Sequence, residues 1–159
     1  ADINEVNLRR AVEELGVLPV SADEIMGLEV DILAPCALGA VLHDRSISAL
    51  RAGIVAGAAN NQLETAEDSA RLQDHGILYC PDFLINAGGI IDVHHQRIGS
   101  PDTLKRLHVE RIERTLSEVL LRADATRQPT HDIAEDLARE YLRSASTLSE
   151  TAPALRAAS

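Results

Sequence analysis

A chain of 159 residues is long enough for one domain with a hydrophobic core, and its 45% hydrophobic content is that of a globular protein. Its net charge of −10, with the basic residues scattered, argues against a nucleic-acid-binding surface. No apolar run approaches the roughly 18 residues of a membrane span, and the distant Cys36 and Cys80 favour neither a disulfide scaffold nor a zinc site. We therefore expect a cytoplasmic protein with no membrane or metal partner.

Extended and helical patterns alternate as far as residue 80. Residues 4–16 are predicted as a helix, with Asn4 as its cap and Gly16 as its stop. The predicted strands are VLPV (17–20), LEVDILAP (28–35), IVAGAAN (54–60) and ILYC (77–80). The further predicted helices are DRSISALRAG (44–53) and ETAEDSARLQDHG (64–76), with a single helical turn in SADEIMG (21–27). This alternation favours βαβ units and therefore an α/β fold with a parallel sheet flanked by helices.

The last third of the sequence has helical patterns only. Ser100 and Pro101 are typical of a helix cap and first position, and they precede a long apolar stripe. The stripe comprises Leu104, Leu107, Ile112, Leu116, Val119 and Leu120. A second helix is predicted over residues 129–145, with Thr130 as a possible cap. We expect one domain over residues 1–148 and a flexible tail over residues 149–159.

Unusual residues follow three of the predicted strands, in DILAPCALGA (31–40), IVAGAANNQL (54–63) and ILYCPDFLINAGG (77–89). The carboxyl ends of parallel strands share one edge of a sheet, where ligands bind in open α/β folds. Small residues there would let a flat ligand approach the main chain. The carboxamides of Asn60, Asn61 and Asn86 offer paired donors and acceptors for a carboxamide, a ribose hydroxyl or a carboxylate. The sequence therefore predicts a ligand site at this edge.

The stretch PDFLINAGGIIDV (81–93) is apolar on both sides of its glycines, which indicates bare backbone inside a buried region. A buried turn followed by a helix start explains Gly88 and Gly89 as well as a cofactor site does. Asp2 alone is more typical of a helix-capping acid than of a ligand. Cys36 is most simply interpreted as a small buried side chain. His94 and His95, which are next to each other in the sequence, are interpreted as surface residues.

Three ordered motifs give the sequence a specific resemblance. DILAPCALGAVL (31–42), VAGAANNQL (55–63) and GILYCPDFLINAGGIIDV (76–93) resemble the nucleotide-binding domain of the glutamate/leucine/phenylalanine/valine dehydrogenase family, nearest its leucine and valine branch. The likeness runs from Asp2 to about Tyr141. It implies a Rossmann-like domain and NAD-dependent oxidative deamination of an apolar L-amino acid to a 2-oxo acid and ammonia. It also implies a homo-oligomer.

The resemblance also shows what the sequence does not contain. The family's glycine-rich G-x-G-x-x-G turn does not occur, and the one lysine, Lys105, lies in a predicted helix with no acidic partner assigned by a motif. We therefore interpret the chain as a fragment truncated at its N-terminus, without the substrate domain and inactive alone. A non-catalytic nucleotide-binding or regulatory module is an alternative. A dimerisation domain, suggested by the apolar C-terminal helices, is another.

The resemblance implies roles for residues near the adenosine half of NAD. Asp2 resembles the acid that binds the ribose hydroxyls, and its carboxylate would disfavour the extra phosphate of NADP. Cys36 and Ala37 correspond to the loop beneath the adenosine and pyrophosphate, through backbone contact only.

Residues near the nicotinamide half are implied in the same way. Ala59 and Asn60 match the segment beside the nicotinamide ribose, and Asn86 matches an asparagine between nicotinamide and the substrate carboxylate. Gly88 and Gly89 would then let the following helix start press against the cofactor. The hydride passes between substrate and nicotinamide, so the role of these residues is placement.

Overall fold

The structure, a computed structural model, describes the backbone of residues 1–151 and the side chains of residues 1–145. It contains two compact units, Ala1–Asn86 and a second that begins at Ala87. The elements of the first unit are α1 (Glu5–Leu15), a 3₁₀ turn (Ile25–Gly27), β1 (Ile32–Leu33), α2 (Asp44–Ala49), β2 (Ile54–Val55), α3 (Glu67–Asp74), β3 (Leu78–Tyr79) and α4 (Asp82–Ile85). Those of the second are α5 (Gly88–Arg97), α6 (Asp102–Thr126) and α7 (Thr130–Thr151).

The first unit is built on a parallel sheet in the order β1-β2-β3, which confirms the predicted α/β class. The register aligns Leu33, Val55 and Tyr79 across the three strands. These side chains are buried and form the hydrophobic core with Leu42, Ile47, Ala52, Leu72 and Ile77. Because parallel strands need crossover helices, α2 and α3 connect them, and both contribute a buried aliphatic residue to this core.

The sequence predicts correctly both ends of α1 and the glycine that follows α3. The Asn4 Oδ1 accepts hydrogen bonds from the backbone N–H groups of Val6 at 3.0 Å and Asn7 at 3.2 Å, which caps α1. Gly16 ends the helix in the left-handed region with φ 65°, and Gly76 does so after α3 with φ 71°. The predicted single turn in residues 21–27 is confirmed as the 3₁₀ turn.

The strand predictions were less accurate. Residues 17–20 do not form a strand: Val17 is 42% exposed and Leu18 is 89% exposed, and no neighbouring strand pairs with them in the described residues. β1, β2 and β3 are each two residues long, much shorter than their predicted ranges. Helix α2 ends at Ala49, ahead of the predicted Gly53. An apolar run forms a strand only where a neighbour supplies hydrogen bonds, and sequence alone does not identify that neighbour.

The second unit is helical, as predicted. Pro101 is the N-cap of α6, so the helix begins one residue later than predicted. Val119 of the predicted stripe is buried, whereas Leu104 and Leu107 are more than half exposed. Helix α7 includes the first three residues of the predicted tail, and residues 152–159 lie outside the described residues. Within the described part of the chain, every helix is too short or too polar to cross a membrane.

Candidate functional site

Three loops meet at the carboxyl edge of the sheet. We call residues 34–43 the first loop, which follows β1, and residues 56–66 the second loop, which follows β2; β3 continues through residues 80–81 into α4. Backbone hydrogen bonds join the first two loops: Ala40 N–H donates to Asn61 O at 2.7 Å, and Leu42 N–H donates to Gln62 O at 2.9 Å. The loops are therefore held as one layer and do not extend separately into solvent.

Two glycines allow this close contact. A Cβ atom added at Gly57 would lie 2.1 Å from the Pro35 carbonyl oxygen, and one added at Gly39 would lie 2.7 Å from the Asn60 carbonyl oxygen. Both neighbours are backbone atoms, which side-chain rotation cannot move away. At Gly57 the missing side chain makes room for the Pro35 backbone, whereas small residues at this edge were expected from the sequence to make room for a ligand.

Asn60 and Asn86 lie together at this edge. The Asn86 Nδ2 donates to the Asn60 Oδ1 at 2.7 Å and, more weakly, to the Ala58 carbonyl oxygen at 3.4 Å. Because a carbonyl oxygen can only accept, these contacts fix which end of the Asn86 carboxamide carries the nitrogen. Asn86 is also the C-cap of α4, with its backbone N–H bonded to Asp82 O at 2.9 Å. The structure therefore joins two of the predicted site residues directly.

The pair retains unused hydrogen-bonding capacity. Within residues 1–145, the Asn60 Nδ2 donor and the Asn86 Oδ1 acceptor form no hydrogen bond with protein atoms. One donor and one acceptor on adjacent carboxamides suit a ligand that carries the reciprocal groups, such as a primary carboxamide or a ribose hydroxyl. Asn60 is exposed and Asn86 is half-buried, so the pair is accessible.

The other predicted site residues lie at different positions. Ala59 is buried, and its N–H donates to Pro35 O at 2.9 Å, next to the pair. Cys36 and Ala37 follow Pro35 in the first loop; the Cys36 side chain is exposed, so its interpretation as a buried residue was wrong. Asp2 Oδ1 accepts from Asn4 N–H at 2.8 Å, in a turn before α1. In the described residues, no hydrogen bond links Asp2 to the asparagine pair.

Three buried polar residues beneath the pair were not predicted. Gln62 is fully buried, and its Nε2 donates to Gly57 O at 2.8 Å and Ala59 O at 3.0 Å. Asp82 is 5% exposed and accepts from Gln62 N–H at 3.0 Å and from the Tyr79 hydroxyl at 3.2 Å. Burial raises the pKa of Tyr79 well above its usual value, and the Asp82 charge adds to the effect, so the hydroxyl stays protonated. The sequence feature that could have pointed to Gln62 is its position directly after Asn60 and Asn61.

The start of α5 differs from the prediction. The sequence indicated burial around the glycines; Ile91 is buried as expected, but Ile90 is 70% exposed. A Cβ atom added at Gly88 or Gly89 would meet nothing within 4 Å. Packing among the protein's own atoms therefore does not require glycine at either position.

The second unit contains a group of charged and titratable side chains, one of which, His95, corrects an earlier interpretation. His95 is buried, not a surface residue, and its Nε2 lies 3.0 Å from the His108 Nδ1. Lys105 has acidic partners, Asp92 at 2.8 Å and Asp102 at 3.1 Å. In the part of the chain that the structure describes, no three His, Cys, Asp or Glu residues are arranged to hold a metal ion.

A parallel sheet with carboxamides at its carboxyl edge defines an α/β protein with a candidate ligand site at the position typical of nucleotide-binding folds. Comparison with known proteins specifies the class further. The profile of the Glutamate/Leucine/Phenylalanine/Valine dehydrogenase family matches residues 4–143. The chain belongs to this family, which confirms the resemblance found in the sequence.

Individual relatives are amino acid dehydrogenases. Leucine dehydrogenase of Bacillus cereus is 41% identical over 143 residues, which cover 90% of this chain and 39% of that protein. The crystal structure of L-tryptophan dehydrogenase from Nostoc punctiforme has a TM-score of 0.86 and 39% identity, over 90% of this chain and 44% of that one. A hetero-hexameric glutamate dehydrogenase from Thermus thermophilus has a TM-score of 0.67 and 26% identity, over 95% of this chain and 38% of that one. The chain thus spans about two-fifths of the length of these relatives.

Proposed function

We propose that this chain is the cofactor-binding part of an NAD-dependent L-amino acid dehydrogenase. The enzyme would deaminate an apolar L-amino acid oxidatively to its 2-oxo acid and ammonia. Membership of the family and the names of the relatives, which include leucine, tryptophan and phenylalanine dehydrogenases, support the reaction class. The short span of the chain relative to these proteins supports its being part of a longer enzyme that also has a substrate domain.

The observation that carries the proposal is the contact between Asn60 and Asn86 at the carboxyl edge of the sheet. The Asn60 Nδ2 and the Asn86 Oδ1 would hold the carboxamide or the ribose of the nicotinamide half and so fix which face of the ring meets the substrate. Bound NAD supplies a hydride acceptor. The protein's contribution is placement, because a fixed geometry removes much of the entropic barrier to the transfer.

The remaining predicted contacts belong to the same proposal. Ala59 would contact the nicotinamide ribose, and Cys36 and Ala37 would face the adenosine and pyrophosphate through their backbone. Asp2 would bind the adenine ribose after giving up its contact with Asn4 N–H. A carboxylate at that position favours NAD over NADP by charge repulsion.

We also propose where the enzyme works and how its subunits assemble. We place it in the cytoplasm because Cys36 and Cys80 are both free. We propose a homo-oligomer; the Thermus thermophilus relative, a hetero-hexamer, supports oligomeric assembly but not the identity of the subunits. The chain alone would not catalyse the reaction, because the proposal assigns the catalytic base to the substrate domain.

A chimera tests this function. The 143-residue matching segment of Bacillus cereus leucine dehydrogenase would be replaced by that of the present chain. We expect the chimera to form NADH with an apolar L-amino acid. Asn60→Ala and Asn86→Ala should each lower kcat/KM for NAD by about 10-fold, the effect of losing one to two hydrogen bonds.

Asn7→Ala is the matched control, because Asn7 lies in α1 and its side chain forms no hydrogen bond among the described residues. This variant should keep the activity of the chimera. A folded chimera that binds NADH but forms none with leucine, valine, phenylalanine or tryptophan would instead favour a non-catalytic nucleotide-binding module. One that neither binds nor forms NADH would overturn the proposal.

A further inference from the structure

Asp82 is a buried carboxylate that makes no ion pair among residues 1–145 and is not part of the accessible asparagine pair. Taking a carboxylate out of water costs free energy unless hydrogen bonds compensate. Its two oxygens accept from the Gln62 N–H and from the Tyr79 hydroxyl, and the same hydroxyl accepts from the Asp82 N–H at 3.3 Å. Asp82 thereby connects β3, the second loop and the first turn of α4.

These connections determine where Asn86 lies. Helix α4 is only four residues long, with Asp82 at its first position and Asn86 as its C-cap. The Asn86 N–H donates to the Asp82 carbonyl oxygen at 2.9 Å, so a single helical turn separates the buried carboxylate from the accessible carboxamide. A shift of Asp82 relative to the second loop would move Asn86 by a similar amount.

The same connections determine where Asn60 lies. The Gln62 N–H is held by Asp82, and the Gln62 Nε2 donates to the carbonyl oxygens of Gly57 and Ala59. These two carbonyls flank Ala58, whose own carbonyl oxygen is the second acceptor for Asn86. Gln62 thus holds the backbone directly before Asn60. The Gln62 Oε1 is buried without a hydrogen-bond partner, so two donated bonds are all that its side chain makes there.

We propose that Asp82 and Gln62 are positioning residues that hold the two asparagines at hydrogen-bonding distance before any ligand binds. The identity of the ligand rests on the proposed function; the positioning itself does not. The benefit is preorganisation, because carboxamides already fixed in place lose little entropy on binding. A small displacement of either loop would separate the pair.

Nuclear magnetic resonance of the isotope-labelled 159-residue chain tests the positioning without any cofactor. In Asp82→Ala, the exchange of the Asn86 side-chain amide with solvent should become about 10-fold faster, as expected for one lost hydrogen bond. In Asp82→Asn, a carbonyl oxygen can still accept from the Gln62 N–H, so the Asn86 signals should return close to those of the wild type. Gln62→Glu, which replaces a donor by an acceptor, should resemble Asp82→Ala.

Asp68→Ala is the matched control. Asp68 is a buried carboxylate of the same unit, 1% exposed, and it also accepts from a backbone N–H and a hydroxyl, both of Thr65; unlike Asp82, it forms an ion pair, with Arg71 at 2.6 Å. Its removal should lower the urea midpoint of unfolding but leave the Asn60 and Asn86 signals unchanged. If Asp82→Ala leaves the Asn86 amide unaltered, or if Asp68→Ala alters it equally, the positioning role is wrong. If Gln62→Glu does not fold, the comparison of Asp82→Ala with Asp82→Asn still tests the positioning role.

The affinity of the chimera for NADH separates the two proposals. We expect its apparent affinity to be about 10-fold lower after Asp82→Ala and unchanged after Asp68→Ala. If the amide results hold but the folded chimera binds no NADH, the proposed function fails while the positioning role stands. If NADH binds equally well to Asp82→Ala and the wild type, positioning has no role in binding.

Discussion

At the scale of single residues, the site combines accessible groups that are free to bind with buried groups that already have partners. Asn60 and Asn86 keep one donor and one acceptor unused within the described side chains, whereas Asp82 has partners for both carboxylate oxygens. Burial makes an unpaired polar group costly, so buried residues suit a supporting role and accessible ones suit ligand contact. Substitution of Asn60 or Asn86 is therefore expected to weaken ligand binding, whereas substitution of Asp82 is expected to lower both ligand binding and the stability of the fold.

Gly57 is the residue at which the first and second loops are closest. In Gly57→Ala the new methyl group would meet the Pro35 backbone, so either the loops separate or the core is strained; overpacking of this kind costs about 1–3 kcal/mol. Urea unfolding followed by circular dichroism measures the loss. Gly89→Ala is the control. A methyl group at this helical position would meet open space, so the free energy of unfolding should rise by about 0.5–1 kcal/mol. Equal stability of the two variants would contradict the close contact seen at Gly57.

At the scale of elements, the packing of α5 on α6 depends on a neutral imidazole. The pKa of His95 is lowered from its usual 6.5 by burial first, and then by the nearby His108, His94 and Lys105, while Asp92 opposes the shift. Below that usual value the unfolded chain binds the proton more readily than the folded chain does. The stabilising contribution is therefore complete above pH 6.5 and is lost as the pH falls through the folded pKa of His95. Titration of the His95 ring proton by nuclear magnetic resonance measures this pKa.

His108→Gln provides the comparison for that titration. It removes one of the groups that lower the pKa of His95, so this pKa should rise towards its usual value, and the loss of stability between pH 7 and pH 5 should become smaller. A His95 pKa at or above 6.5 in the wild type would show that the imidazole is not desolvated by the helix pair.

Element boundaries show what local sequence determines. The cap at Asn4 and the stop at Gly16 depend on the residue and its immediate neighbours, and both were predicted correctly. Strand length depends on hydrogen bonds from a segment more than 20 residues away, as for Ile32 and Ile54, so apolar runs were predicted too long. His95 was misplaced for the same reason, because its partner His108 lies on another helix.

At the scale of the whole molecule, the sequence indicated where the site is but not what supports it. Parallel strands place the polar segments at one edge, as predicted, whereas the contact between Asn60 and Asn86 also requires that β2 and β3 be neighbours, which the structure shows. Asp82 looked like an ordinary acid at a helix start, and the local sequence does not show that Gln62, 20 residues earlier, donates to it. Long-range contacts between loops were the part of the site that the sequence did not specify.

The two faces of the sheet differ in a way that can be measured. Val55 is fully buried, whereas Ile32 is 54% exposed and Leu78 is 38% exposed on the opposite face. Val55→Thr preserves volume but buries a hydroxyl, which should cost about 1–3 kcal/mol unless the hydroxyl finds a partner. Ile32→Thr and Leu78→Thr should stay within about 0.5 kcal/mol, because threonine suits a strand and water reaches both positions.

Urea unfolding of the three variants compares the faces directly. A dye that binds exposed apolar surface should bind the wild-type chain more strongly than Ile32→Thr, because the substitution removes one of the exposed apolar side chains, Ile32 and Leu78, on this face. If Ile32→Thr cost as much as Val55→Thr, the outer face would be covered in solution, and the sheet would have a second core that the arrangement of Ile32 and Leu78 does not show. The ordering of the three costs, and not their absolute size, therefore distinguishes a sheet with one buried face from a sheet with two.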